Sequence, residues 1–437
     1  MLYIAFIFII VAVLAGCAEQ RSPDEYVGST SGTVQIPAKL ESAGEGKQQE
    51  PPAVEQADQG TDPAQEQAAE QESDQEPRQE QGTEKETESV VEADSDSEPV
   101  IYTATLGAIG DVLIHRPIYR EAEQKDGTYD FSSVFAEVSG MMQQPDLLIA
   151  NEETMIGGAG IGLSTYPRFN SPHEVGDALK EAGVDFVTLA NNHTLDRGEK
   201  AIQSALKYWD KLHMPYTGAY KNAKDQERIR TIDRNGITFA VLAYTYGTNG
   251  IPVPEGKDYL VNLIDIGSIS ADVKRAKEMA DVVVVSMHWG KEYENLPNKE
   301  QQTLAKQLAN MGVDIVIGNH PHVLQPPAWV EGQGGHKTFV FYSLGNFVSS
   351  QDGLKKRIGG IGLVDVVKKM EGGRTTIRIE NPAFMPTYMY YNNWKNYRIV
   401  PMELATAAEL SQSKQNFKST MNHMQSYIPD LSLIHAE

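Results

Sequence analysis

Val282-Val283-Val284-Val285-Ser286-Met287-His288-Trp289-Gly290 decides the reading of this 437-residue chain. Four successive valines leave no polar face, so the run reads as a central strand covered on both sides. A histidine at the end of such a strand is costly to bury and, taken alone, reads as a hydrogen-bonded core residue. Similar apolar runs occur at 101–109, 147–150, 186–190, 239–244, 315–317 and 338–342. Between many of them lie helical patterns. Glu174–Ala182 closes at Gly183, 199–212 carries apolar residues at helical spacing, and Lys299–Met311 follows Asn298 as a cap and stops at Gly312. Alternation of strand and helix predicts an α/β sheet with both faces covered, in which ligands gather beyond the carboxyl ends of the strands. Farther on, 360–367 and 375–379, joined through Glu371-Gly372-Gly373, read as antiparallel strands, and 404–428 reads as a polar helix.

Five strand-like runs end in residues that bind metals: Gly110-Asp111, Asn151-Glu152-Glu153, Asn191-Asn192-His193, Met287-His288-Trp289 and Gly318-Asn319-His320-Pro321-His322. Each has a plain reading of its own. Gly-Asp and Asn-Asn pairs make turns, an acid after a strand is commonly solvated, and Asp196 suits a cap for the following helix. Four of the ten histidines nevertheless fall in these stretches, and His-Pro-His lets two imidazoles converge on a stiffened turn. Carboxylate, amide and imidazole ligands without thiolate suit Mn, Fe or Zn. Two such ions about 3.5–4 Å apart would share one carboxylate and activate water, with His193 as general acid or as a stabiliser of developing charge.

The first part of the chain is of a different kind. An apolar run from Leu2 leads into Leu14-Ala15-Gly16-Cys17, which resembles a bacterial lipoprotein signal (1–17) with Cys17 as the lipidated residue; an uncleaved membrane helix is the alternative. Both place the remainder outside the cytoplasm. Cys17 is the only cysteine, so no internal disulfide forms and stability has to come from a large core. Residues 18–100 hold 22 acidic and 5 basic side chains, a net of −17 out of −22 for the whole chain. Rich in Gln, Glu, Ser and Pro, this segment reads as a disordered acidic linker. The charge therefore belongs to the tether and not to the folded body, expected over 101–403 with 404–437 as a tail.

The ordered set Gly107-Ala108-Ile109-Gly110-Asp111, Ala150-Asn151-Glu152-Glu153-Thr154, Leu189-Ala190-Asn191-Asn192-His193-Thr194-Leu195-Asp196, His288-Trp289-Gly290, Gly318-Asn319-His320-Pro321-His322-Val323 and Tyr342-Ser343-Leu344-Gly345-Asn346-Phe347 resembles the calcineurin-like metallophosphoesterase superfamily, and within it the CapA/PgsA family of poly-γ-glutamate capsule biosynthesis proteins. The resemblance implies a four-layer α/β/β/α sandwich with a binuclear metal centre. Asp111, Glu153, Asn192, His288, His320 and His322 stand where the superfamily places ligands, and His193 where it places the catalytic histidine; Asp196 is a further catalytic candidate. Arg168 and Asn346 are candidates for substrate binding. Leu113 stands where the superfamily has the histidine of Asp-x-His, His115 lies two residues beyond, and Glu152 competes with Glu153 for the ligand position.

Other chemistries find little support. Gly157-Gly158-Ala159-Gly160-Ile161-Gly162 is followed by extended sequence where a dinucleotide cradle needs a helix, and there is no Gly-x-Ser-x-Gly elbow. A nucleic-acid binder would show a basic face. The expected protein is a lipid-anchored hydrolase on the outer face of the bacterial membrane, using two divalent ions and meeting an anionic polymer such as poly-γ-glutamate and capsule synthase subunits. A non-catalytic scaffold and a general surface phosphodiesterase are the alternatives.

Overall fold

The strands Val100–Val112, Leu147–Glu152, Phe186–Thr188 and Tyr216–Thr217 lie side by side and parallel in a nine-stranded sheet. A computed structural model describes residues 98–436; the expected signal segment, Cys17 and the expected linker up to residue 97 lie outside the described residues. On the other flank of Val100–Val112 the sheet continues antiparallel through Ile358–Glu371, Arg374–Asn392 and Lys395–Pro401. A second, six-stranded sheet has the order Ala328–Glu331, Lys337–Phe341, Ile315–Asn319, Val282–His288, Ile237–Thr245, Arg230–Arg234, parallel except at its two edges.

The strand sequences dictate how these sheets stack. Side chains alternate across a strand, so a run apolar at every position needs an apolar partner on each face. Val282 and Val284 meet Ala104, Leu106, Ala108 and Ile149 of the first sheet in the central core. Val283 and Val285 face the other way, onto Val273 and Ala276 of helix Ile266–Met279 and Ala305 and Leu308 of helix Lys299–Met311. On the outer face of the first sheet, Leu148, Ala150 and Val187 pack on Val175 and Leu179 of Glu174–Ala182 and on Ile202, Leu206 and Trp209 of Gly198–Lys211. The layer order is α/β/β/α, as the resemblance implied.

Local signals hold where they were strongest. Asn298 and Gln301 form a reciprocal capping box, each side chain accepting from the other's backbone N–H at 3.0 Å, and Gly312 ends the helix at φ 82°. Gly372 and Gly373, at φ 54° and 75°, close the long hairpin at the expected turn. Helix Ile266–Met279 went unread because its buried stripe is thin, with only Ile269, Val273 and Ala276 covered. The C-terminal helix spans Ser413–Met424, shorter than 404–428. Its Met421 and Met424, with Leu410, Ile428 and Leu431, fill the central core, and Ser432–Leu433 adds a parallel strand to Arg374–Asn392. No helix among the described residues is long and apolar enough to cross a membrane.

One contact fixes how closely the second sheet approaches the loop after Lys337–Phe341. A Cβ at Gly318 would stand 2.1 Å from the Tyr342 carbonyl oxygen, which already accepts the Trp289 indole N–H at 3.0 Å. Gly318→Ala is expected to cost about 1–3 kcal/mol as the strand is pushed off its neighbour. Urea melts that return the wild-type midpoint would contradict this.

Candidate metal centre

Two sheets present their carboxyl ends at one place. The first supplies Asp111, Glu153 and, beyond Phe186–Thr188, Asn192 and His193; the second supplies His288 after Val282–His288 and the His320-Pro321-His322 turn after Ile315–Asn319. The register of Val100–Val112 slips just at Asp111: on one side the strand rejoins Leu147–Glu152 at Val112 and Glu152, and on the other it passes from Ile358–Glu371 to Asn346–Val348. Gly110 permits this, because a Cβ there would lie 2.2 Å from the Gly345 carbonyl oxygen. An irregularity of this kind re-aims one side chain, here a carboxylate with no solvent exposure.

Asp111 then organises the turn opposite. Its Oδ2 accepts the backbone N–H of His320 at 3.2 Å and lies 3.3 Å from Nδ1 of His322. Both histidines sit at positive φ, 95° and 57°, a conformation that non-glycine residues hold only when their surroundings impose it. The neighbouring Tyr293, at φ 68°, donates its N–H to Pro321 O at 2.8 Å and sets its ring 6.3 Å from that of His322.

Two overlapping groups emerge, Asp111 with Glu153 and His288, and Glu153 with His320 and His322, each with its ligand atoms within 4.8 Å of one another. Glu153 is common to both. Its Oε1 lies 3.5 Å from Nε2 of His288 and 3.7 Å from Nε2 of His322. Neither Glu153 oxygen has a hydrogen-bond partner, nor does Nδ1 of His320, although these atoms are buried. A buried carboxylate without partners costs several kcal/mol, which a divalent cation removes. The donor set therefore fits a metal site. Glu152, the competing acid, points elsewhere and accepts from Thr154 Oγ1 at 3.0 Å.

Burial holds His288 well below the usual imidazole range and His320 at about 3, so both are neutral and free to donate a lone pair. Burial also pushes Glu153 well above the carboxylate range. Burial opposes protonation of His322 too, but the charges of Glu153 and Asp111 outweigh it and lift His322 to about 9. Without a cation, then, the centre keeps a proton.

Asn192 belongs to the cluster, its Oδ1 3.0 Å from Nε2 of His288. His193 is paired with Asp196, Nδ1 to Oδ2 at 2.7 Å, and the same oxygen accepts the Phe169 N–H at 2.7 Å. Asp196 thus orients His193 and is not the cap of helix Gly198–Lys211. Asn346, expected at substrate, is buried and spends its amide on His322, Gln351 and Lys356; its Oδ1 lies 3.0 Å from Nδ1 of His322, so it positions that ring. Arg168 is exposed beside Phe169. Leu113 is buried and leaves one ligand position apolar. His115 does not replace it: its ring packs edge-on to Phe169, which separates it from His193, and burial holds it at about 3.

Three contributors had no assignment from sequence. Asn151 donates to Asp111 Oδ1 at 2.8 Å, and its place in Asn151-Glu152-Glu153 was the available signal. Tyr246 packs 4.6 Å from the His320 ring, and Tyr293 flanks His322; nothing in their sequence surroundings marks them.

A family model described as bacterial capsule synthesis protein PGA_cap matches residues 105–351, more than half of the chain. Over 342 residues the chain is 30% identical to the capsule biosynthesis protein CapA of Bacillus anthracis, covering 73% of this chain and 78% of that protein. Over 267 residues it is 30% identical to the PGA biosynthesis protein CapA of Bacillus subtilis (strain 168), covering 57% and 64%. Among solved structures, the NAD nucleotidase NadN of Haemophilus influenzae aligns with TM-score 0.41 and 13% identity over 77% of this chain and 65% of that one. A 5'-nucleotidase precursor of Thermus thermophilus gives TM-score 0.40 and 14% identity over 74% and 59%. Overlaps of this size are too small to transfer a site.

Two outcomes follow from the geometry. Glu153→Gln is expected to abolish bound divalent metal, while Glu152→Gln retains it, as read by elemental analysis; equal metal in both variants would reassign the shared carboxylate. The second concerns protons. His322, raised from 6.5 to about 9, stabilises the metal-free fold fully below pH 6.5 and loses that contribution as pH rises through 9. Metal and proton compete for the same ring, so binding tightens across this interval and releases about one proton, visible in calorimetry as a dependence of heat on buffer. A heat independent of buffer at about pH 7.5 would count against His322 as a ligand.

Proposed function

The chain belongs to the bacterial capsule synthesis protein PGA_cap family, and from that premise we propose that it is a metal-dependent hydrolase acting in capsule polymer assembly. The observation that carries this reading is Glu153, buried with both oxygens unpartnered among Asp111, His288, His320 and His322. Asp111, Glu153, Asn192 and His288 would hold one ion, and Glu153, His320 and His322 a second. Such ions, when bound, activate water at neutral pH and neutralise charge on a phosphoryl or carbonyl oxygen.

The remaining work falls to the chain itself. Asp196 accepts from Nδ1 of His193 and so fixes the ring's tautomer and orientation. Nε2 of His193 is then the atom that delivers a proton to the leaving group. Phe169 packs edge-on to that ring at 4.7 Å and shields it from solvent. Asn346 and Asn151 hold His322 and Asp111 in place, limiting reorganisation during the reaction. The polymer in this reading is anionic, of the poly-γ-glutamate kind, in keeping with the PGA biosynthesis protein among the relatives. Leu14-Ala15-Gly16-Cys17 supports attachment by lipid at Cys17 to the outer face of the membrane, where capsule synthase subunits would be neighbours.

Leu113 favours a second reading, a scaffold in which the centre binds but does not turn over substrate, because it puts a buried apolar side chain where a ligand is expected. One experiment separates the two. Purified protein loaded with Mn or Zn is assayed on phosphoesters and γ-glutamyl amides, beside His193→Ala and Asp196→Asn. Hydrolysis that falls about 10²–10⁴-fold in His193→Ala, with metal content unchanged, is the expected result. Metal-loaded protein without turnover on either substrate class establishes the scaffold.

A further inference from the structure

The turn Leu354–Arg357 carries two lysines, Lys356 over the ring of Tyr293 near the metal centre and Lys355 at a neighbouring cavity. Lys356, half-buried, holds its ammonium 5.1 Å from the centre of the Tyr293 ring, the ring that flanks His322. Its backbone carbonyl accepts from Asn346, the residue that positions His322, at 2.8 Å. Lys355 lines a cavity of about 220 Å³ together with Asn295, Leu354, Asn416, Ser419 and Thr420. The back wall of that cavity is Val323 and Leu324, the residues directly after His322, and the C-terminal helix Ser413–Met424 closes it, with His423 Nε2 3.1 Å from the Leu324 carbonyl oxygen.

Several features mark this as a recognition surface and not as incidental packing. Neither lysine makes an ion pair among the described residues, whereas the adjacent Arg357 is committed: it caps the carbonyls of Met389 and Tyr391 and stacks on both Tyr388 and Tyr391. Ser419 and Thr420 likewise bring hydroxyls without a side-chain hydrogen bond among the described residues. Tyr293 keeps a strained backbone in order to lie between His322 and Lys356. At about 220 Å³ the cavity is smaller than the roughly 300–1,000 Å³ of a site that encloses a whole ligand, so it suits one side group of a longer chain.

We propose that Lys355, Lys356 and the cavity walled by the C-terminal helix form a carboxylate-binding subsite for an extended acidic chain, holding the residue next to the one at the metal centre. This rests on the reading of the centre as a site for an anionic polymer, and it gives the C-terminal helix a role in substrate selection. It also answers an electrostatic difficulty, since neither residues 18–100, which hold −17 of the net −22, nor the mildly acidic remainder attracts a polyanion by overall charge. Lys356 near the centre and Lys355 at the cavity, neither in an ion pair among the described residues, supply that attraction locally.

The test uses the full chain loaded with Mn and a fluorescently labelled γ-linked glutamate oligomer, with the same oligomer amidated to neutrality as control. Binding of the charged oligomer is expected to weaken with added salt and to fall at least about tenfold in Lys355→Gln/Lys356→Gln. Lys355→Arg/Lys356→Arg should keep most of it, and binding of the neutral oligomer should not differ between wild type and the glutamine double variant. Lys355→Gln alone, at an exposed position, serves if the double variant folds poorly. Charged-oligomer binding within about twofold of wild type in these variants, or no binding to the wild-type chain, overturns the subsite. Metal content measured on the same samples keeps the two readings apart: loss of lysine dependence with metal retained removes only the subsite, while lysine-dependent binding to a chain that takes up no metal removes only the hydrolase.

Discussion

A carboxylate buried with nothing to satisfy it is the constraint around which this molecule is arranged. Glu153 lies at the end of a strand in a core that excludes water, and both its oxygens lack hydrogen bonds. Folding to such a state is costly unless a cation completes it. Stability and chemistry are therefore linked at one residue. The imidazoles around it divide into two kinds: His288 and His320 are kept neutral by burial, while His322 is kept basic by the acids it faces. The metal-free centre resembles a held proton waiting to be exchanged for a metal ion.

Asp111 converts that local demand into architecture. It receives the backbone of the His-Pro-His turn, approaches His322 and is itself held by Asn151, so residues from both sheets depend on one side chain. The close approach is possible because Gly110 and Gly318 each leave space where a neighbouring carbonyl oxygen passes. Positive φ at His320, His322 and Tyr293 is part of the same arrangement. Backbone strain is tolerated there because hydrogen bonds to Asp111 and Pro321 over-determine the loop.

Much of the fold was legible in the chain. Val282 to Val285 required apolar layers on both sides, and the structure supplies a sheet on one face and helices on the other. Asn298, Gln301 and Gly312 fixed both ends of a helix by side-chain chemistry that needs no distant partner. The site residues at strand ends were legible for a related reason, since parallel strands deliver their carboxyl ends to a common edge. Helix Ile266–Met279 was not, because three buried residues in fourteen make a stripe too thin to distinguish from a solvated segment. Asn346 was read as a substrate contact, yet its amide is spent holding His322; a buried amide and an exposed one look alike in sequence.

What the sequence determined by itself was periodicity, capping and which acids, amides and imidazoles stand at the strand ends, all of which depend on residues within a few positions of each other. What only the tertiary structure decided was which of two adjacent acids faces the centre, that His115 is walled off by Phe169, and that Tyr293 and Lys356 border the site. Those outcomes depend on a register slip in one strand and on loops brought together from opposite sheets. Local chemistry cannot encode them, because a shift of one residue turns a side chain to the other face of a strand.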